Sequence, residues 1–105
     1  MGNRGENMRN KSKAKETVIR RDVRYDGENH YEYELIASES ERTASWRLTL
    51  YSVWTKMIDR DGTESEARLV DAFADAGQAI LFYDKAVRNL ATPIDLRYVL
   101  EDEGV

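Results

Sequence analysis

From Thr17 onward apolar and polar residues alternate with a period of two, the pattern of strands that bury one face and wet the other. Over residues 17–25, Ile19, Val23 and Tyr25 fall on one face with Val18 opposite. Asp26-Gly27 follows and predicts a tight turn, because glycine accepts the positive φ that hairpin turns require. Tyr31, Tyr33, Leu35 and Ala37 then alternate with Glu32 and Glu34 in a second strand. The polar run 38–45 reads as a loop. Trp46, Leu48, Leu50 and Trp54 alternate with Arg47, Thr49 and Thr55 in a third and longest strand, ended by the turn Asp59-Arg60-Asp61-Gly62. Residues 66–73 make a fourth, with Ala67, Leu69 and Phe73 on one face and Val70 and Ala72 on the other.

The period then changes to that of a helix. Asp75, with Gln78 three residues on, has the form of a capping box, in which a carboxylate accepts a free backbone N–H at the helix start. Ala76, Ile80, Tyr83, Val87 and Leu90 recur at helical spacing, with Ala79 and Ala86 beside them, and Lys85 and Arg88 place cations in the last turns. Thr92-Pro93 restarts the chain as an N-cap with proline in the first helical position, where its missing N–H costs nothing. Residues 94–103 are therefore read as a short second helix. A strand is the competing reading, because Ile94, Leu96, Tyr98 and Leu100 also alternate.

These elements predict an α+β fold: a four-stranded antiparallel meander, one amphipathic helix packed on one sheet face, and a short C-terminal helix. One helix covers one face, so the other is solvated, paired or used for binding. Thr49, Tyr51 and Val53, which alternate with the Trp46-Leu48-Leu50-Trp54 set, are the expected interaction surface on the uncovered face.

Composition refines this picture. The chain has 105 residues, enough for one domain, and 34% of them are charged. There are no cysteines, which removes disulfides, thiolate metal sites and cysteine nucleophiles, and points to a reducing compartment. The longest apolar run, residues 79–83, is far short of the roughly 20 residues of a membrane span, and no hydrophobic segment follows the basic residues near the N-terminus. A cytoplasmic location with no membrane partner is expected. Residues 1–24 carry eight basic residues against three acidic, a net +5, whereas the remainder carries eight against seventeen, a net −9. Residues 1–15 are nearly without apolar residues and read as a disordered basic arm ahead of a single domain over 16–105. Arg9, Lys11, Lys13, Lys15, Arg20 and Arg21 could hold nucleic acid through counterion release, although the body behind them is acidic.

Candidate chemistry is sparse. Aligning Gly62 with the glycine of a calcium loop puts Met57 and Arg68 where carboxylates are required, so this segment reads as a hairpin turn. His30 is the only histidine and has no nucleophile beside it in the sequence. Glu32 and Glu34 share a strand face about 7 Å apart, a spacing open to acid–base pairs, but nothing on a wet face would separate their protonation. Tyr25, Tyr31, Tyr33, Trp46, Tyr51 and Trp54 could stack bases, but no RNA-recognition stretch of basic, glycine and aromatic residues accompanies them. No catalytic residue, metal site or cofactor is expected.

The segment Ala67-Arg68-Leu69-Val70-Asp71-Ala72-Phe73, the helix opened by Asp75, and Thr92-Pro93-Ile94-Asp95-Leu96-Arg97-Tyr98-Val99-Leu100-Glu101-Asp102 together resemble a family of small clostridial proteins carrying a domain of unknown function. The resemblance runs over roughly residues 31–103; the basic arm and Asp75-Ala76-Gly77 depart from it. It implies a bacterial protein with a β-meander, a helix and a C-terminal helix, and no activity. The function expected is that of a non-catalytic interaction or accessory module, self-associating or docking a protein through its uncovered sheet face. Nucleic-acid association through the basic arm is the alternative.

Overall fold

Gly27 and Gly62 adopt φ of +64° and +85°, and each closes a hairpin at the turn its sequence predicts. At the second turn the Asp59 carboxylate accepts from the backbone N–H groups of Asp61 and Thr63, at 2.9 and 3.0 Å, so its charge organises the turn itself. A computed structural model describes residues 15–43 and 46–96, with side chains over 15–39 and 48–96. The strands are β1 (Lys15–Asp26), β2 (Asn29–Thr43), β3 (Trp46–Ile58) and β4 (Glu64–Phe73). They form one antiparallel sheet in the order β1-β2-β3-β4, the predicted meander. Helix α1 (Ala76–Arg88) follows, and a short helix α2 begins at residues 93–96. The arm expected over residues 1–15 falls outside the described residues except for Lys15, which opens β1 opposite Glu39.

Three sequence expectations need correction. Residues 38–43 are not a loop but the end of β2, paired from Ser38↔Leu50 to Thr43↔Trp46. Backbone pairing in a long hairpin continues through polar residues, and low apolar content marked the wrong boundary. In β1 a bulge between Val18 and Arg20 inserts Ile19 as an extra residue. It moves Val18 onto the same face as Val23 and Tyr25 and leaves Ile19 off the regular ladder. The third correction concerns which face α1 covers. The register pairs Tyr31, Tyr33, Leu35 and Ala37 with Met57, Thr55, Val53 and Tyr51, so the odd-numbered residues of both strands share one face. That is the helix face. Val53 is fully buried, Tyr51 packs against the core, and Thr49 lies on the same face opposite Glu39. The interaction surface expected at Thr49, Tyr51 and Val53 thus lies beneath the helix side.

Helix α1 starts as predicted, with the Asp75 carboxylate accepting from the Gln78 N–H at 2.8 Å. Ala79, Phe82, Tyr83, Ala86 and Val87 form its buried stripe against Tyr31, Tyr33, Leu35, Val53 and Phe73. The helix ends in a Schellman motif: Ala91 N–H donates to Ala86 C=O at 2.9 Å and Leu90 N–H to Val87 C=O at 3.2 Å. Leu90 occupies the left-handed position, φ +54°, that glycine usually fills. Helix α2 is capped reciprocally, Asp95 N–H donating to Thr92 Oγ1 at 3.1 Å and Thr92 N–H to Asp95 Oδ2 at 3.4 Å. Thr92-Pro93 therefore starts a helix; residues 97–103 of the expected element lie outside the described residues.

Two tyrosines tie these layers together from within. Tyr33 donates its hydroxyl to Ala91 C=O at 2.8 Å, and Tyr83 donates to Asp22 Oδ2 at 2.7 Å. Burial, helped by the neighbouring Tyr31, pushes the Tyr33 phenol up to about 12; burial and the bond to Asp22 raise that of Tyr83 further. Both folded-state values lie above the ordinary value of 10, so the stability they supply is complete below pH 10 and lost as pH rises through the folded values. The urea midpoint should accordingly fall steadily above pH 10. Tyr83→Phe should flatten that fall, and a wild-type midpoint unchanged from pH 10 to 12 would contradict the arrangement.

Candidate interaction surface

The even-numbered residues of β2 and β3 form the face away from α1, and the register sets out its rows. One row reads Tyr25, His30, Ile58, Glu64 across the four strands, the next Val23, Glu32, Lys56, Glu66, and the next Arg21, Glu34, Trp54, Arg68. Alternating charge across strands makes this face a lattice of pairs. Arg21 bridges Glu34, His30 Nε2 lies 2.8 Å from Glu32, and Lys56 lies 3.3 Å from Glu64. Trp54 Nε1–H donates to Glu66 at 3.3 Å, and Tyr25 sets its ring edge-on to that of His30 at 5.0 Å. Glu32 and Glu34 do share a face, as their spacing predicts, but each carboxylate is engaged by its own cationic or imidazole partner. Exposed pairs of this kind contribute roughly 0.2–1 kcal/mol each and mainly fix register and polarity.

One contact reports the shape of this face. Arg68 on β4 reaches Glu16 on β1 at 2.8 Å, although β2 and β3 lie between. Three inter-strand steps separate those strands by about 14 Å in a flat sheet, and the two residues are also offset along the strands. A twisted sheet is a saddle, curling toward one face along one diagonal and toward the other face along the second. The Glu16–Arg68 diagonal is the one that curls toward the bare face. Ile36, Ser38 and Ser52, which lie between β1 and β4 on this face, are buried there. Ser52 Oγ also accepts the N–H of Asp71 at 2.8 Å, satisfying a bulge in β4 where Asp71 takes φ +51°.

Apolar side chains remain exposed along β1, where Val18, Val23 and Tyr25 (44, 41 and 69% exposed) line the border of the bare face. They lie on the face opposite α1, which rests over β2, β3 and β4, so no helix covers them. On the helix side, β1 instead presents Arg20, Asp22 and Arg24. With Tyr25, Asp84, Val87, Arg88 and Leu90 they line an open groove between β1 and α1. Of the basic arm residues, Arg9, Lys11 and Lys13 lie outside the described residues, Lys15 opens β1, and Arg20 and Arg21 point to opposite faces of it. Among the described residues no group of three or more His, Asp or Glu is placed to hold a metal ion, and no helix is long and apolar enough to cross a membrane. The exposed row on β1 went unread in the sequence because a single bulge, with no glycine or proline to announce it, sets which side chains align. Compared with protein-family models, curated proteins and solved structures, the chain has no match.

Proposed function

We propose that this protein is a non-catalytic interaction module that engages another polypeptide along the β1 border of its sheet. The observation that carries this reading is the row Val18, Val23 and Tyr25, exposed on a strand that, among the described residues, is paired on one side only. A long edge strand with unpaired backbone groups and apolar side chains is a template for strand addition, and the Ile19 bulge and the charges of residues 20–26 restrict which strand can join it. Engagement of Glu32 and Glu34 in ion pairs favours binding over proton transfer as the role of the bare face. The absence of cysteine fits action in the cytoplasm. The likeness to the clostridial family belongs to this proposal too, adding element order and no chemistry.

A photo-crosslinking residue placed at Val23, with one at Leu81 on the outer face of α1 as control, tests it in the native host. Adducts from position 23 that survive nuclease, with none from position 81, are expected. Equal labelling, or none at position 23, would end the proposal. A second reading, nucleic-acid association, draws on Arg20, Arg24 and Arg88 around the groove between β1 and α1. It requires binding that falls steeply with salt and is lost on removal of residues 1–14; binding unchanged by that deletion would sink it.

A further inference from the structure

We infer that the polypeptide taken up by β1 is a second copy of this chain, paired antiparallel about a two-fold axis at Val23. This rests on the preceding reading of β1 as the working edge and adds the partner and the register. The regular part of the edge is bounded by the Ile19 bulge at one end and the Gly27 turn at the other, leaving residues 20–26, Arg-Arg-Asp-Val-Arg-Tyr-Asp, with Val23 at their midpoint.

A two-fold axis normal to the sheet sets each residue opposite one on the same face of its partner strand. Centred on Val23, it places Arg20 opposite the partner's Asp26, Arg21 opposite the partner's Tyr25 and Asp22 opposite the partner's Arg24. Symmetry makes each of these pairs twice, and the valines meet on the axis. Every charge therefore faces its opposite or an aromatic ring, the pairings that stabilise neighbouring strands. The adjacent registers fail. Centring on Asp22 sets Arg20 against the partner's Arg24 and Asp22 against itself. Centring on Arg24 sets Asp22 against the partner's Asp26 and Arg24 against itself. Like charges directly opposite are destabilising, so of these three registers only the one centred on Val23 is free of them, and it is the one that uses the whole of residues 20–26.

The fold leaves room for it. Helix α1 lies over β2, β3 and β4, and the groove beside β1 keeps the helices of the two copies apart on the same side of a continuous eight-stranded sheet. Val23 and Tyr25 gain a partner, and the outward N–H and C=O groups of both edges are satisfied.

Charge exchange in the full chain tests partner and register together. Sedimentation equilibrium should find a dimer for the wild-type protein. Arg20→Asp and Asp26→Arg each replace both Arg–Asp pairs with like charges and should weaken the dimer about tenfold or more. An equimolar mixture of the two variants re-forms opposite pairs and should recover a heterodimer of wild-type strength. Far-UV circular dichroism reports whether each variant folds; if either does not, Val23→Lys and Val23→Glu, monomeric alone and dimeric when mixed, serve the same end. A wild-type monomer at high concentration, a dimer indifferent to both exchanges, or a mixture that fails to recover would overturn the inference. A monomer that still crosslinks to a different protein through position 23 would overturn self-pairing while sparing the proposed function.

Discussion

Val53→Asp is expected to abolish folding, or to lower stability by about 4 kcal/mol or more, because an uncompensated charge would enter the core. Val53 is fully buried between Leu35 and Leu69, its neighbours across the ladder, and the helix closes over this layer. Burial leaves the new carboxylate two outcomes, displacing the packing or taking up a proton, and each is costly. Loss of the cooperative urea transition, or of the far-UV signal of the sheet, is the measurement that checks it. Val23→Asp, at an exposed position, provides the contrast and should leave the folded signal intact. A Val53→Asp protein with a near-wild-type midpoint would mean that α1 covers the other face of the sheet.

Leu96→Ala should destabilise the protein by about 2–5 kcal/mol, the range for a buried leucine whose site does not collapse. Leu96 is fully buried although it stands only four residues beyond the Thr92 cap, whereas Ile94 beside it is 73% exposed. Helical geometry sends these neighbours in different directions, and Tyr33 fixes the approach by donating to Ala91 C=O. Ile94→Ala should accordingly shift stability by no more than about 0.5 kcal/mol. Paired urea titrations of the two variants settle the matter: similar losses would show that α2 does not pack through Leu96.

The order of elements was legible because local chemistry writes it down. Two Asp-Gly turns, the Asp75 cap and the Thr92-Pro93 start each act within a few residues, and all four stand where their side chains predict. The face covered by α1 was not legible. It depends on the parity of the β2–β3 register, and the two faces of β3 offer comparable apolar content, Leu48, Leu50 and Trp54 on one and Tyr51, Val53 and Met57 on the other. Only the pairing of Tyr33 and Leu35 with Thr55 and Val53 decides between them. The candidate surface was misplaced for the same reason, compounded by the bulge at Ile19, which no residue type in β1 signals. The polar end of β2 was missed because a strand there is held by its partner and not by its own composition.

The meander also sets an order of events while the chain is being made. Among the described residues each strand pairs only with its neighbour in sequence, so this four-stranded sheet is available once Phe73 has emerged. The bonds that seal the covered face come later and reach far back, from Tyr83 to Asp22 across 61 positions and from Ala91 to Tyr33 across 58. At roughly 5–20 residues per second, residues 74–96 take about one to five seconds to follow. During that interval Tyr31, Tyr33, Leu35 and Val53 stand uncovered on a nascent sheet whose β1 edge already exists. If two copies pair through β1 as proposed, neighbouring nascent chains on one message would meet in this state, and the alternating charges along β1 would help to hold their edges in a single alignment while the apolar face waits for its helix.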